Sequence, residues 1–119
     1  MGNRDIEGPI HRSILAYLRL RFPKALIHHS ANEMGLQGDA VARQIAKAKT
    51  NGMVPGFPDI MVIAGGGLTM FFEVKAPGGR LTPAQQDVHD HLRALGQLVA
   101  VVRSIDEVQA QLAQWNVGG

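Results

Sequence analysis

Asp59, Glu73 and Lys75 stand inside "GFPDIMVIAGGGLTMFFEVKAPGG", the stretch of this 119-residue chain where apolar strand formers are densest. Side chains alternate along a strand, so Glu73 and Lys75 share one face while Phe72 and Val74 share the other. A glycine-centred reversal between two apolar runs reads as an antiparallel hairpin. Asp59 lies before that reversal about as far as Glu73 lies after it, so the two carboxylates should meet. Close like charges raise each other's pKa unless a cation compensates them, and the simplest compensation is a bound metal ion. Oxygen ligands favour a hard ion, Mg²⁺ or Mn²⁺, that keeps several waters and accepts a phosphate oxygen. An ammonium beside it, from Lys75, can orient an attacking water or offset charge growing on a phosphoryl oxygen. That grouping suits phosphodiester hydrolysis.

The elements that must place these residues are readable from spacing. Ile10, Ile14, Leu15, Leu18 and Phe22 recur at helical intervals, predicting a helix from about 6 or 9 to 21, with Asp5 as N-cap and Pro9 in the first turn. Ala25 to His29 reads as a strand. "GDAVARQIAKAKTNG" predicts a second helix capped by Asp39, with Val41, Ile45 and Ala48 on one side and Gly52 as its stop. Strands are expected at about 59 to 64 and over "LTMFFEVKA". Thr82 as N-cap, Pro83 at the first helical position and Gly96 as C-terminal stop define a third helix. A strand over 98 to 103 and a helix capped by Ser104, with Val108 and Leu112 facing inward, complete the order. The hairpin supplies antiparallel neighbours, and the crossover through 82 to 95 should lay the last strand parallel to the one it leaves. A two- or three-layer α/β sandwich is the expected shape.

On the third helix Gln85 falls in the stripe of Val88, Leu92 and Leu95 that should face the sheet, where a polar group needs a partner; Lys75 or the attacking water would supply one. Gln86, His89, Asp90 and Arg93 read as its outer face. His89 and His91 diverge on a helix, which disfavours zinc. The triple glycine is not followed by Gly-Lys-Ser/Thr, so it is a turn rather than a phosphate cradle. Arg43 and Lys47, at i and i+4, make a cationic stripe suited to a phosphate backbone, and His28 and His29 are substrate-contact candidates.

Composition bounds the setting. A chain of this length buries one core, so a single domain over 1–119 is expected. Lys and Arg outnumber Asp and Glu by only 12 to 10, so the distribution of charge says more about a nucleic-acid partner than its sum. The absence of cysteine excludes disulfides and thiolate zinc and fits a reducing compartment, the cytoplasm by default. No apolar run approaches the roughly 20 residues that span a bilayer. The N-terminus lacks the apolar segment of a secretory signal, and Ile6 stands where a myristoylation signal has Ser or Thr.

"GFPDI" followed by "FFEVKAPGGRLTPAQ" and "LGQLVAVVRS" resembles the VRR-NUC branch, the virus-type replication-repair nucleases, of the PD-(D/E)xK nuclease superfamily. The resemblance runs over most of the chain and is strongest from Gly56 to Ser104. It implies an α/β fold with a restriction-endonuclease-like mixed central sheet flanked by helices. It implies a Mg²⁺- or Mn²⁺-dependent DNA endonuclease, structure-selective for four-way junctions or flaps and acting in replication or repair, in the host cytoplasm if the protein is viral. Asp59 and Glu73 would be metal ligands with the Val74 carbonyl as a further one, Lys75 the catalytic lysine, and Gln85 its supporting polar group. An acid from the first helix is also implied, with Glu7 the best fit and Glu33 its rival. His29 and Asn32 would match a His-x-x-Asn stretch at the DNA. Cutting both strands of a branched substrate needs two sites, so a homodimer is expected. A non-catalytic DNA-binding module with the same fold is the alternative.

Overall fold

The computed structural model describes residues 6–30 and 39–118. The elements run α1 (Glu7–Arg21), β1 (Leu26–His29), α2 (Asp39–Thr50), β2 (Ile60–Ile63), β3 (Thr69–Val74), α3 (Pro83–Ala94), β4 (Leu98–Val102) and α4 (Ile105–Gln114). Asp5, Asn32 and Glu33 lie outside the described residues, as do the side chains of Val41, Ile45 and Ala48. α1 begins behind Ile6, which supplies no side-chain cap, and Glu7 sits in its first turn, where an acid complements the helix dipole.

The four strands form one mixed sheet in the order β1-β2-β3-β4. β1 and β2 are antiparallel, and β2 and β3 form the expected hairpin around Gly65–Gly67. β3 and β4 are parallel across the α3 crossover. The core lies on the face of the sheet occupied by Ile60, Val62, Met70, Phe72, Val74, Ala100 and Val102. There Ile14 and Leu18 of α1 and Val108 and Leu112 of α4 close it. α3 covers the opposite face, where Arg93 Nη2 donates to the Val99 carbonyl at 3.2 Å, so the sandwich has three layers.

α3 is fixed at both ends by local chemistry. Thr82 Oγ1 accepts from Gln85 N at 3.1 Å, and Gln85 Oε1 accepts from Thr82 N at 2.9 Å, a reciprocal capping box with Pro83 at the first helical position. At the far end Gly96 has φ +83, and the amides of Gly96 and Gln97 donate to the carbonyls of Arg93 and Leu92 at 2.9 Å each. That left-handed step turns the chain from α3 into β4.

The rotational setting of α3 differs from the expected stripe. His89, assigned to the outer face, is 0% exposed, and Leu95, assigned to the sheet side, is 63% exposed. Leu95 is the C-cap and has left the helical spiral. His89 lies one turn beyond Gln85 on the same side, and both turn to a polar partner in the sheet, which apolar periodicity does not register.

Candidate active site

Asp59 is held from three directions. Pro58 before it is fully buried, and the Asp59 carbonyl accepts from Ser30 N at 2.8 Å, which ties β1 to the start of β2. Its carboxylate reaches across the hairpin, where Oδ2 accepts from Val74 N at 2.8 Å. Gly56 has φ +85, and a Cβ there would stand 2.5 Å from the carbonyl carbon of Ala84 and 2.7 Å from Gln85 N. The "GFPD" turn therefore packs backbone to backbone on the first turn of α3, and only glycine permits that approach. Phe57 seats the same turn edge-to-face on Phe71, with ring centroids 5.6 Å apart.

Glu73 is 1% exposed, so the acid in E-x-K is interior rather than part of a solvated face. The register that pairs Ile60 with Phe72 brings Asp59 and Glu73 opposite each other. Gln85 Nε2 donates to Glu73 Oε2 at 3.3 Å, and His89 Nε2 lies 3.1 Å from Glu73 Oε1. Gln85 thus serves Glu73 and its own helix cap; its amide goes to the acid rather than to Lys75, because the capping box points it at β3.

A hydrogen-bonding interaction between the Asp59 and Glu73 carboxyls contributes to the pKa of each. Burial first, then that interaction and the charge of Glu73, push Asp59 up to about 7 from its ordinary 3.8; the Val74 amide and the charge of His11 oppose the shift. Burial raises Glu73 as well, against the same interaction and the Lys75 charge, which lower it, while Glu7 raises it further. Both carboxyls are thus raised, with burial the leading cause in each, as for two acids brought together away from water.

Lys75 follows the end of β3 and continues its ladder, with its amide donating to the Val102 carbonyl at 3.1 Å. The turn after it is clamped by Arg103, whose Nη2 donates to the Gly79 carbonyl at 2.7 Å. The influence of Glu7 on Glu73 puts the first-helix acid in electrostatic range of the site.

Two histidines that the sequence reading did not assign to the site belong to this neighbourhood. His11, one turn after Glu7 on α1, packs edge-on against His29 with ring centroids 4.6 Å apart. Burial, then the His29 charge, lower its pKa, while Asp59 raises it. Its Nε2 is buried without a hydrogen-bond partner among the described residues. Burial first and then the Arg93 charge lower His89, which favours the neutral imidazole; facing a carboxylate acceptor, Nε2 is assigned the proton that bonds Glu73 Oε1. The i, i+4 spacings Glu7–His11 and Gln85–His89 were the available signal. Arg43 and Lys47 are exposed on α2, and His29 is exposed at the end of β1.

Two facing carboxyls, both raised by burial, are relieved by a cation between them, so these residues fit a divalent ion. Among the described residues no three acid or histidine side chains converge with metal-ligand spacing. Two carboxylates are hard oxygen donors, which suit a Mg²⁺-like ion rather than a zinc cage.

The profile of the VRR-NUC domain family matches residues 14–106. The chain belongs to the VRR-NUC domain family, whose fold is of the nuclease type. A solved structure described as a VRR_NUC domain protein superposes with TM-score 0.69 at 24% identity, covering 95% of this chain and 89% of that one. A second, described as a VRR_NUC domain, gives TM-score 0.60 at 25% identity, covering 93% of this chain and 97% of that one. No curated protein matches the chain.

Proposed function

We propose that this chain is a metal-dependent DNA endonuclease that hydrolyses phosphodiester bonds, with Asp59, Glu73 and the Val74 carbonyl as the ligands of Mg²⁺ or Mn²⁺. The observation that carries the reading is the half-buried Asp59 set opposite the buried Glu73 across the hairpin, with Lys75 next after β3. A bound divalent ion would supply positive charge at the phosphoryl oxygen and a more acidic water. Lys75 presents its amine to orient that water and to offset charge building on the phosphoryl oxygen. Gln85 steadies Glu73, and Glu7 adds the first-helix acid. His29 with Asn32, and the stripe of Arg43 and Lys47, contact the DNA backbone. The substrate is branched DNA, a four-way junction or a flap, met in replication or repair in the cytoplasm, that of the host if the protein is viral. A homodimer provides the two sites that paired incisions need.

The test is cleavage of labelled junction, flap and linear duplex DNA with Mg²⁺ or Mn²⁺. Asp59→Ala and Lys75→Ala should each lower the rate by about 10²–10³-fold or more, the scale of losing one electrostatic stabiliser. Full activity in both variants would remove these residues from the site. DNA binding in EDTA with no cleavage under either ion would leave a binding module instead. Light-scattering mass under assay conditions should give a dimer; a monomer that cuts both junction strands symmetrically would exclude it.

A further inference from the structure

We infer that His89 is a positioning residue that, with Gln85, sets the Glu73 carboxylate for a divalent cation, a role that rests on the function proposed above. The two side chains lie one turn apart on α3, and each addresses a different oxygen of Glu73, at 3.1 and 3.3 Å. A carboxylate oxygen accepts more than one bond, so both keep capacity for a further partner while the carboxylate plane is held from two sides. Neither His89 nor Glu73 is open to water, at 0% and 1% exposure, so water does not replace a lost donor there easily.

The other nitrogen of the ring identifies what the histidine is for. His89 Nδ1 is buried with no partner among the described residues, a position that costs free energy. An apolar side chain of similar size would fill the space under α3 without that orphaned atom. The imidazole is explained by Nε2, whose donation keeps Glu73 in one orientation, as hydrogen-bonding partners of metal ligands do. The frame behind the pair is stiff: Gln85 is locked into the capping box, and Gly56 wedges the Asp59 turn against Ala84 and Gln85.

The experiment is calorimetric titration of Mn²⁺ into the wild type, His89→Leu, His89→Asn and His89→Gln at one pH, with melting in EDTA as the fold control. A Gln amide reaches about where Nε2 stands, and an Asn amide stops short of it. His89→Leu and His89→Asn should lose about 10–100-fold in Mn²⁺ affinity, and His89→Gln should stay within a few-fold of wild type. Wild-type affinity in a folded His89→Leu or His89→Asn protein would overturn the assignment. If His89→Leu does not fold, the Gln and Asn variants decide, and equal losses in both would overturn it. A wild type that takes up no Mn²⁺ would instead sink the metal-dependent function, whereas wild-type uptake with unchanged variants sinks the role of His89 alone.

Discussion

Asp59, pushed up to about 7, keeps its proton over a pH range in which the unfolded chain has released it, and this fixes the sign of a pH effect. Its pKa is 3.8 in the ordinary state and about 7 in the fold, so between those values the folded chain binds a proton that the unfolded chain has released. Stability from this group is fully present below about pH 3.8 and is lost as pH rises through about 7. In EDTA the melting temperature of wild type should therefore fall across that window relative to Asp59→Asn, which has no proton to lose. Mn²⁺ should raise the wild-type melting temperature most near pH 8 and leave Asp59→Asn nearly unmoved. Parallel curves for the two proteins in EDTA would contradict the raised pKa of Asp59. The meeting of Asp59 with Glu73 was legible because a hairpin brings positions equidistant from its turn together. His89 was not, since its partner is set by how α3 sits on the sheet.

At the scale of elements, the contact between the "GFPD" turn and α3 holds the two halves of the site in register. Gly56→Ala introduces a side chain at positive φ and an overlap with the Ala84 carbonyl group, neither of which a side-chain rotation relieves. Urea unfolding should show a loss of more than about 2 kcal/mol. The displaced α3 should also weaken Mn²⁺ binding, because Gln85 and His89 move with it. Unchanged stability would mean that the turn is free of the helix. The existence and order of the elements followed from caps and periodicity, and Thr82, Pro83, Gly96 and Ser104 mark the boundaries the structure has. The facing of α3 did not follow, because its stripe is partly polar and apolar spacing weighted Leu95 over His89.

For the whole molecule, the core ties β3 to the last helix. Phe72 of β3 packs on Trp115 just beyond α4, with ring centroids 5.7 Å apart, and Trp115 is the chain's 1 tryptophan. Leu112→Ala should cost about 2–5 kcal/mol. If the chain unfolds as one unit, tryptophan emission and far-ultraviolet circular dichroism should shift together in that variant. Transitions that separate would show that β3 and α4 do not share a single cooperative core. The described residues contain no helix long and apolar enough to cross a membrane.

Alternation, capping residues and the glycine reversal are local, so the sequence alone determined the element order, the mixed sheet and the meeting of Asp59 with Glu73. What needed the tertiary structure was everything set by the contact of one layer with another. The close seat of Gly56 on α3, the burial of His89 against Glu73 and the edge-on pairing of His11 with His29 are of this kind. Such contacts depend on the rotation and separation of packed elements, which no periodicity within a single element encodes.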